Sequence, residues 1–201
     1  MGSPSLVWFR DDLRLTDHPA LHAALDRGEP VIAVYILDEE SDGVREIGGA
    51  ARWWLHHSLA SLAKRLGERG STLVLRRGRA ADIVPAVVDE TGAGAVFWNR
   101  RYGGVEREID AGIKERLREG GVTVASFAAN LLFEPWTVRT GAGTPYGVYS
   151  PFRRAVERMP APRAPLPEAR AIPGPTTAPA SDDLDAWGLL PEKPDWAGGL
   201  R

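Results

Sequence analysis

Five short, almost unbroken apolar runs, each separated from the next by a segment with helical period, constrain this chain more than any other feature. The runs are Ser5–Phe9, Val31–Leu37, Thr72–Leu75, Ala95–Trp98 and Val122–Phe127. They are continuous rather than alternating, and rich in Val, Leu, Ile and aromatics, as strands covered on both faces must be. The first intervening helix starts after Thr16 or Asp17 as cap, tolerates Pro19 in its opening turn, and stops before Gly28. The second covers residues 49–69, where Trp53, Leu55, Leu59, Leu62 and Leu66 recur at helical spacing. Two more occupy 80–90 and 104–119. Strands alternating with helices require parallel pairing and right-handed crossovers. The expected fold is therefore α/β, a doubly wound five-stranded parallel sheet of Rossmann-like order 3-2-1-4-5, with helices on both faces.

The pattern divides the chain into three stretches. Residues 1–133 form the α/β domain. Residues 134–158 are a loop and a short helix over 150–158, capped by Ser150 with Pro151 first inside, which complete it. Residues 159–201 hold nine prolines in 43 positions and no surviving period. They read as an extended strap or interdomain linker leading towards a further domain.

In such sheets the ligand crevice lies beyond the carboxyl ends of the strands, where strand order reverses. Here that point falls between the first and fourth strands. It brings "RDDLR" (10–14) beside "NRRYGGVERE" (99–108). Four charges in five positions are more than a turn needs. Arg10, Asp12, Asn99, Arg101, Tyr102 and Glu106 are expected to converge there, lining a crevice or pairing beside it. Glu106 stands in the first turn of a helix, where a carboxylate is favoured, and can accept hydrogen bonds from the N–H groups of a heterocycle. The segment from Leu37 and Asp38 to Trp54 is long enough to arch over the same crevice and bring Arg52 towards it.

Other chemistries are excluded or unsupported. There are no cysteines, so disulfides, thiolate catalysis and cysteine-held metals are absent. A net charge of −2 gives no global field for nucleic acid. No apolar run approaches the ~18 residues of a membrane span, and no signal segment opens the chain, so a cytoplasmic, reducing setting with no membrane partner is expected. His18 and His22 have helical metal-pair spacing, but no third ligand accompanies them, and no metal is expected. "TGAGTPYG" (140–147) lacks the Lys-Ser/Thr of a phosphate loop and is not flanked by strand and helix. The first strand is not followed by G-x-G-x-x-G.

The opening "LVWFRDDLRLTDHPAL" (6–21) closely resembles the start of the photolyase/cryptochrome family. "VFWNRRYGGVEREID" (96–110) and "TPYGVYSPFRRAV" (144–156) are similar to two further elements of that family. The resemblance runs through essentially the whole chain. It implies an N-terminal antenna-binding domain that precedes a helical domain lying outside this sequence. That helical domain would hold FAD and the pocket for a flipped pyrimidine dimer of damaged DNA. The parent protein would be a light-driven lyase or a blue-light photoreceptor, and no catalytic residue falls in this chain. A free-standing nucleotide-binding module of related fold is the third reading. Folate-binding members resemble this chain in the aromatic at Tyr102 and the pterin-binding glutamate at Glu106. Val105 departs from the Asn common at its position. Arg52 matches a helix arginine of deazaflavin-binding members. Methenyltetrahydrofolate is therefore favoured as antenna over a deazaflavin or FMN.

Overall fold

The computed structural model describes residues 2–200. Five strands form one parallel sheet in the order β3-β2-β1-β4-β5. They are β1 (Ser5–Phe9), β2 (Val31–Leu37), β3 (Leu73–Arg77), β4 (Ala95–Asn99) and β5 (Thr123–Phe127). The helices are α1 (Pro19–Leu25), α2 (Gly49–Gly67), α3 (Ala80–Thr91), α4 (Gly104–Glu119) and α5 (Tyr149–Glu157). The expected doubly wound fold and strand order are both present.

Alternation along the strands explains the layering. Leu6, Trp8, Ile32, Val34, Ile36, Val96 and Trp98 face α3 and α4. Val7, Phe9, Val31, Ala33, Ala95 and Phe97 face α1 and the end of α2. Both faces are covered, which is why the runs read as continuous in sequence. Pro85 sits inside α3 and cannot donate to the carbonyl four residues back. That carbonyl, on Ala81, accepts a bond from Arg116 of α4 at 3.3 Å.

Several boundaries move. β3 runs to Arg77 rather than Leu75, because Ile36 and Leu37 pair with Arg76 and Arg77 and carry the ladder past the apolar run. α5 starts at Tyr149 after Val148, with no side-chain cap, so Ser150 is not its cap. The cap of α1 is neither Thr16 nor Asp17. It is His18, whose Nδ1 accepts from the Leu21 N–H at 3.0 Å. Asp17 adopts φ 49°, a left-handed conformation that Asp tolerates better than most residues. Its carboxylate turns outward, accepting from Leu166 N at 3.0 Å and Arg163 at 2.6 Å.

Those two partners belong to the proline-rich strap. It lies along the α1–α2 side and the free edge of β3. Ile172 is fully buried and Ala169 nearly so, both in the cluster with Val7, Phe9 and Leu66. Trp187 and Leu189 pack with Leu37, Leu55, Leu59 and Leu75. The backbone joins in: Val31 N donates to Pro173 O at 2.7 Å, Ile172 N to Arg69 O at 2.8 Å, and Asp182 N to Leu75 O at 2.8 Å. Gly174 passes so near that a side chain there would meet Gly70 O at 3.1 Å.

The turn after β1 is tied down by one buried carboxylate. Asp12 is 1% exposed. Its Oδ1 accepts from Arg10 N at 2.9 Å, and its Oδ2 accepts from Asn99 Nδ2 at 2.5 Å. His18 Nε2 lies 3.0 Å from the same Oδ2. Since Nδ1 of His18 is already an acceptor, the ring proton stands on Nε2, facing Asp12. Asn99 Oδ1 in turn accepts from Ala20 N at 3.1 Å. Burial would raise the Asp12 carboxyl. His18, the Arg10 N–H and Asn99 outweigh it and hold the group down at about 2.

Two outcomes are expected. Replacing Ile172 with Ala should cost about 2–4 kcal/mol of unfolding free energy, read by urea denaturation; a strap that merely floated would lose nothing. Asp12 binds its proton less readily folded than unfolded, so its contribution is fully present above the ordinary value of 3.8 and is lost as pH falls towards about 2. That window should contain about 2 kcal/mol of pH-dependent stability. Denaturation midpoints followed from pH 5 to pH 2 should show it, with a shallower fall for Asp12→Asn.

Candidate functional site

At the switch point between β1 and β4, side chains fill the space instead of leaving it open. The Arg10 guanidinium donates to both oxygens of Asp110, at 2.9 and 2.8 Å, and also to Asn99 O. It lies over Trp8, 4.5 Å from the ring centroid. Trp8 meets Trp98 edge-on at 5.7 Å. Arg101 adds a second cation to Asp110 at 2.8 Å. Burial pulls the Arg10 pKa down, and Asp110 opposes it. This bridge divides the expected crevice into two separate concavities.

The first concavity lies on the β2 side. It is a cavity of about 560 Å³ lined by Arg10, Asp11, Leu13, Arg14, Tyr35, Ile47, Ala51, Trp54, Leu55 and Ser58. Its floor is apolar. Asp11 is an exposed carboxylate at the mouth, and Trp54, 67% exposed, forms a wall. Burial raises the Tyr35 phenol, with the Asp11 and Glu39 carboxylates adding to the effect, so it remains a neutral donor. The second concavity, between α4 and β5, is lined by Trp98, Trp136, several cations, acidic residues of α4 and Ser126.

The expected site residues are distributed among these features. Arg10, Asp12, Asn99 and Arg101 do come together, but Asp12 and Asn99 are sealed beneath the crevice. Tyr102 stands beside Trp136 at 6.3 Å, its phenol raised by burial and by Glu134. Glu106 folds its carboxylate back over Gly103, so tightly that a Cβ there would collide with it. It stands in the first turn of α4 and lines neither concavity. Val105 packs against Gly43, where a side chain would come within 3.1 Å, so the 38–48 segment does cross to α4. Leu37 is a core residue. Asp38 is held to its own turn and to α3: it accepts from Ala80 N at 3.0 Å, Ser41 N at 2.9 Å and Ser41 Oγ at 2.7 Å. Partial burial would raise it, and these donors outweigh that and lower it. Arg52 turns away from the cavity to Glu39 and to Ile47 O at 3.0 Å.

Tyr35 and Trp54 do not stand out in the sequence, and Asp11 does so only as one of the four charges after the first strand. One signal was available for Trp54. Trp53 falls on the apolar stripe of α2 and its neighbour does not, so Trp54 had to be an exposed aromatic. His18 and His22 are both engaged structurally, His22 through Pro167 O at 2.8 Å. No group of metal-ligating side chains occurs among the described residues, nor any helix long and apolar enough to cross a membrane.

The family model for DNA photolyase matches residues 5–171. The deoxyribodipyrimidine photo-lyase of Agrobacterium fabrum is 48% identical over 195 residues, covering 97% of this chain and 40% of that protein. Cryptochrome-1 of Arabidopsis thaliana is 38% identical over 188 residues, covering 91% of this chain and 27% of that one. The crystal structure of a bacterial class III photolyase from Agrobacterium tumefaciens superposes with a TM-score of 0.92 at 46% identity, over 98% of this chain and 40% of that one. The chain thus spans two fifths or less of the length of these relatives. With most of its length matched by the family model and nearly all of it by a photolyase fold, this chain belongs to the DNA photolyase family.

Proposed function

We propose that this chain is the N-terminal light-harvesting domain of a light-driven DNA lyase that acts on pyrimidine dimers in the cytoplasm. The 48% identity to a photo-lyase, against 38% to a plant cryptochrome, favours repair over signalling. Residues 1–133, completed by 134–158, are the antenna domain, and 159–201 lead towards a C-terminal helical domain holding FAD, through which damaged DNA is bound. An apolar surface suits that helical domain. Leu132, Val148 and Tyr149 are 78, 65 and 70% exposed, and α5 buries no residue of its own.

The observation that carries the antenna assignment is the cavity at the carboxyl ends of β1 and β2. Its size suits a small planar ligand, and its lining suits a pterin. Leu13, Ile47 and Leu55 exclude water from one ring face, and Trp54 can stack on the other. Asp11 offers two carboxylate oxygens to adjacent ring N–H groups, and Tyr35 donates to a ring carbonyl. Methenyltetrahydrofolate fits this donor and acceptor pattern. When bound, it supplies near-UV absorption and passes the excitation to the flavin. A deazaflavin or FMN is the competing occupant. Glu106, the glutamate that family resemblance favours, does not line this cavity.

The test is an absorption titration of the chain with methenyltetrahydrofolate. A red-shifted near-UV band of bound folate is expected. Trp54→Ala should weaken binding by about tenfold, and Glu106→Ala should leave it unchanged. Loss with Glu106→Ala and retention with Trp54→Ala would move the antenna to the α4 rim. Binding of FMN but not of the folate would replace the ligand.

A further inference from the structure

We propose that the groove between α4 and the β5 edge is a second binding site, for a mononucleotide, with its phosphate at Lys114 and Arg118 and its base against Trp136. The site is separate from the antenna cavity, with the Arg10–Asp110 bridge standing between them.

The groove has a volume of about 690 Å³, in the range of small-molecule sites. Five cations line it: Arg100, Arg101, Arg107, Lys114 and Arg118. Two already have carboxylate partners: Arg101 shares Asp110 with Arg10, and Arg100 meets Glu134 at 2.5 Å. Among the described residues, the other three have no carboxylate within ion-pair distance.

Lys114 is the centre. It is half-buried, its Nζ lies 5.5 Å from the Trp98 ring centroid, and its hydrogen-bond partner is the Ser126 hydroxyl at 2.8 Å. Burial destabilises this ammonium, and Arg118 and Arg100 add like-charge repulsion against the single attraction of Asp110. A half-buried cation crowded by other cations is favoured by an anion that joins it. Arg118 stands one helical turn further on, touching Val124 O at 3.3 Å, and has donors to spare. The two project from the same side of α4, as i and i+4 positions do.

The aromatic half of the ligand follows from Trp136. This ring is 49% exposed, and Arg100 lies 5.7 Å from its centroid. Arg100 also donates to Ser126 O at 2.5 Å. Ser126 therefore links the aromatic end to the Lys114 end through two short contacts, a separation that a base and its 5′-phosphate can span. The ligand is a single nucleotide and not a strand. Glu115 and Glu119 form the exposed rim on α4, and their charges oppose a continuing polyanionic backbone.

Isothermal titration calorimetry of the chain with AMP tests the assignment, with adenosine and inorganic phosphate as separate arms. AMP should bind, and more weakly as salt rises. Each half-ligand should bind at least tenfold more weakly than AMP. Lys114→Gln removes one charge-assisted bond and should weaken AMP by about tenfold or more, with Trp136→Ala reaching a similar loss and Trp54→Ala changing nothing. Phosphate binding as tightly as AMP would reduce the groove to an anion site and overturn the nucleotide. AMP binding that survives Lys114→Gln and Trp136→Ala but fails in Trp54→Ala would place the ligand in the antenna cavity. No AMP binding at all would overturn the site.

Discussion

A carboxylate with almost no access to water sits where β1, α1 and β4 meet, and the geometry of both concavities depends on keeping it satisfied. Stripping an ion of water costs several kcal/mol even after relaxation. The chain offsets that cost at Asp12 with partners drawn from three separate elements: the Arg10 N–H, Asn99 and the His18 ring. Each partner is thereby placed. Asn99 fixes the end of β4 and receives the Ala20 N–H, while His18 starts α1. One turn further out, Arg10 and Asp110 repeat the arrangement in the opposite sense, with a buried cation held by an anion of α4. The four charges after β1 thus have four different tasks. Arg10 bridges to α4, Asp11 faces the cavity mouth, Asp12 is the hub, and Arg14 reaches the 129–130 loop and Asp17 O.

The fold was legible because its signal is cumulative. Five runs covered on both faces, spaced by helical periods, leave one reasonable sheet, and strand order follows from the family of doubly wound topologies. The site was legible only as a neighbourhood. Residue types at the ends of β1 and β4 announce buried charge, but sequence does not distinguish a charge that lines a crevice from one that fills it. That distinction rests on the direction of Asp110, which lies on α4 and draws no attention among many acidic residues. Asp17 illustrates a second limit. An Asp before a helix reads as its cap, and here a left-handed backbone turns the carboxylate to a partner 149 positions away. Trp54 was hidden for a simpler reason, since two adjacent tryptophans invite a single explanation.

The two sheet edges are protected by different means. β3 is covered by the strap, through Asp182 N to Leu75 O and the Ser181 hydroxyl, which accepts from Leu75 N at 2.9 Å. Among the described residues, β5 has no such cover. Its outward carbonyls at Val124 and Ser126 are taken by Arg118 and Arg100. Charged side chains over an edge are an established way to prevent strand addition. On β5 they have a second effect. The cations that block the edge also concentrate positive charge in the groove beside α4, so protection and recognition share the same side chains.

The strap also bears on how the chain is made. Synthesis runs from the N-terminus, and domains tend to fold as their parts emerge. All five strands are complete by Phe127, yet the face carrying Val7, Phe9 and Leu66 lacks its last cover until Ile172 arrives, and the face carrying Leu37 and Leu75 waits for Trp187 and Leu189. For some sixty residues of elongation past Phe127, a finished sheet therefore stands with apolar surface open to water. A nascent chain arrested in that interval, or a fragment cut after the last strand, presents a sticky intermediate and not a small stable domain. The folding unit extends into the strap, well past the end of the sheet.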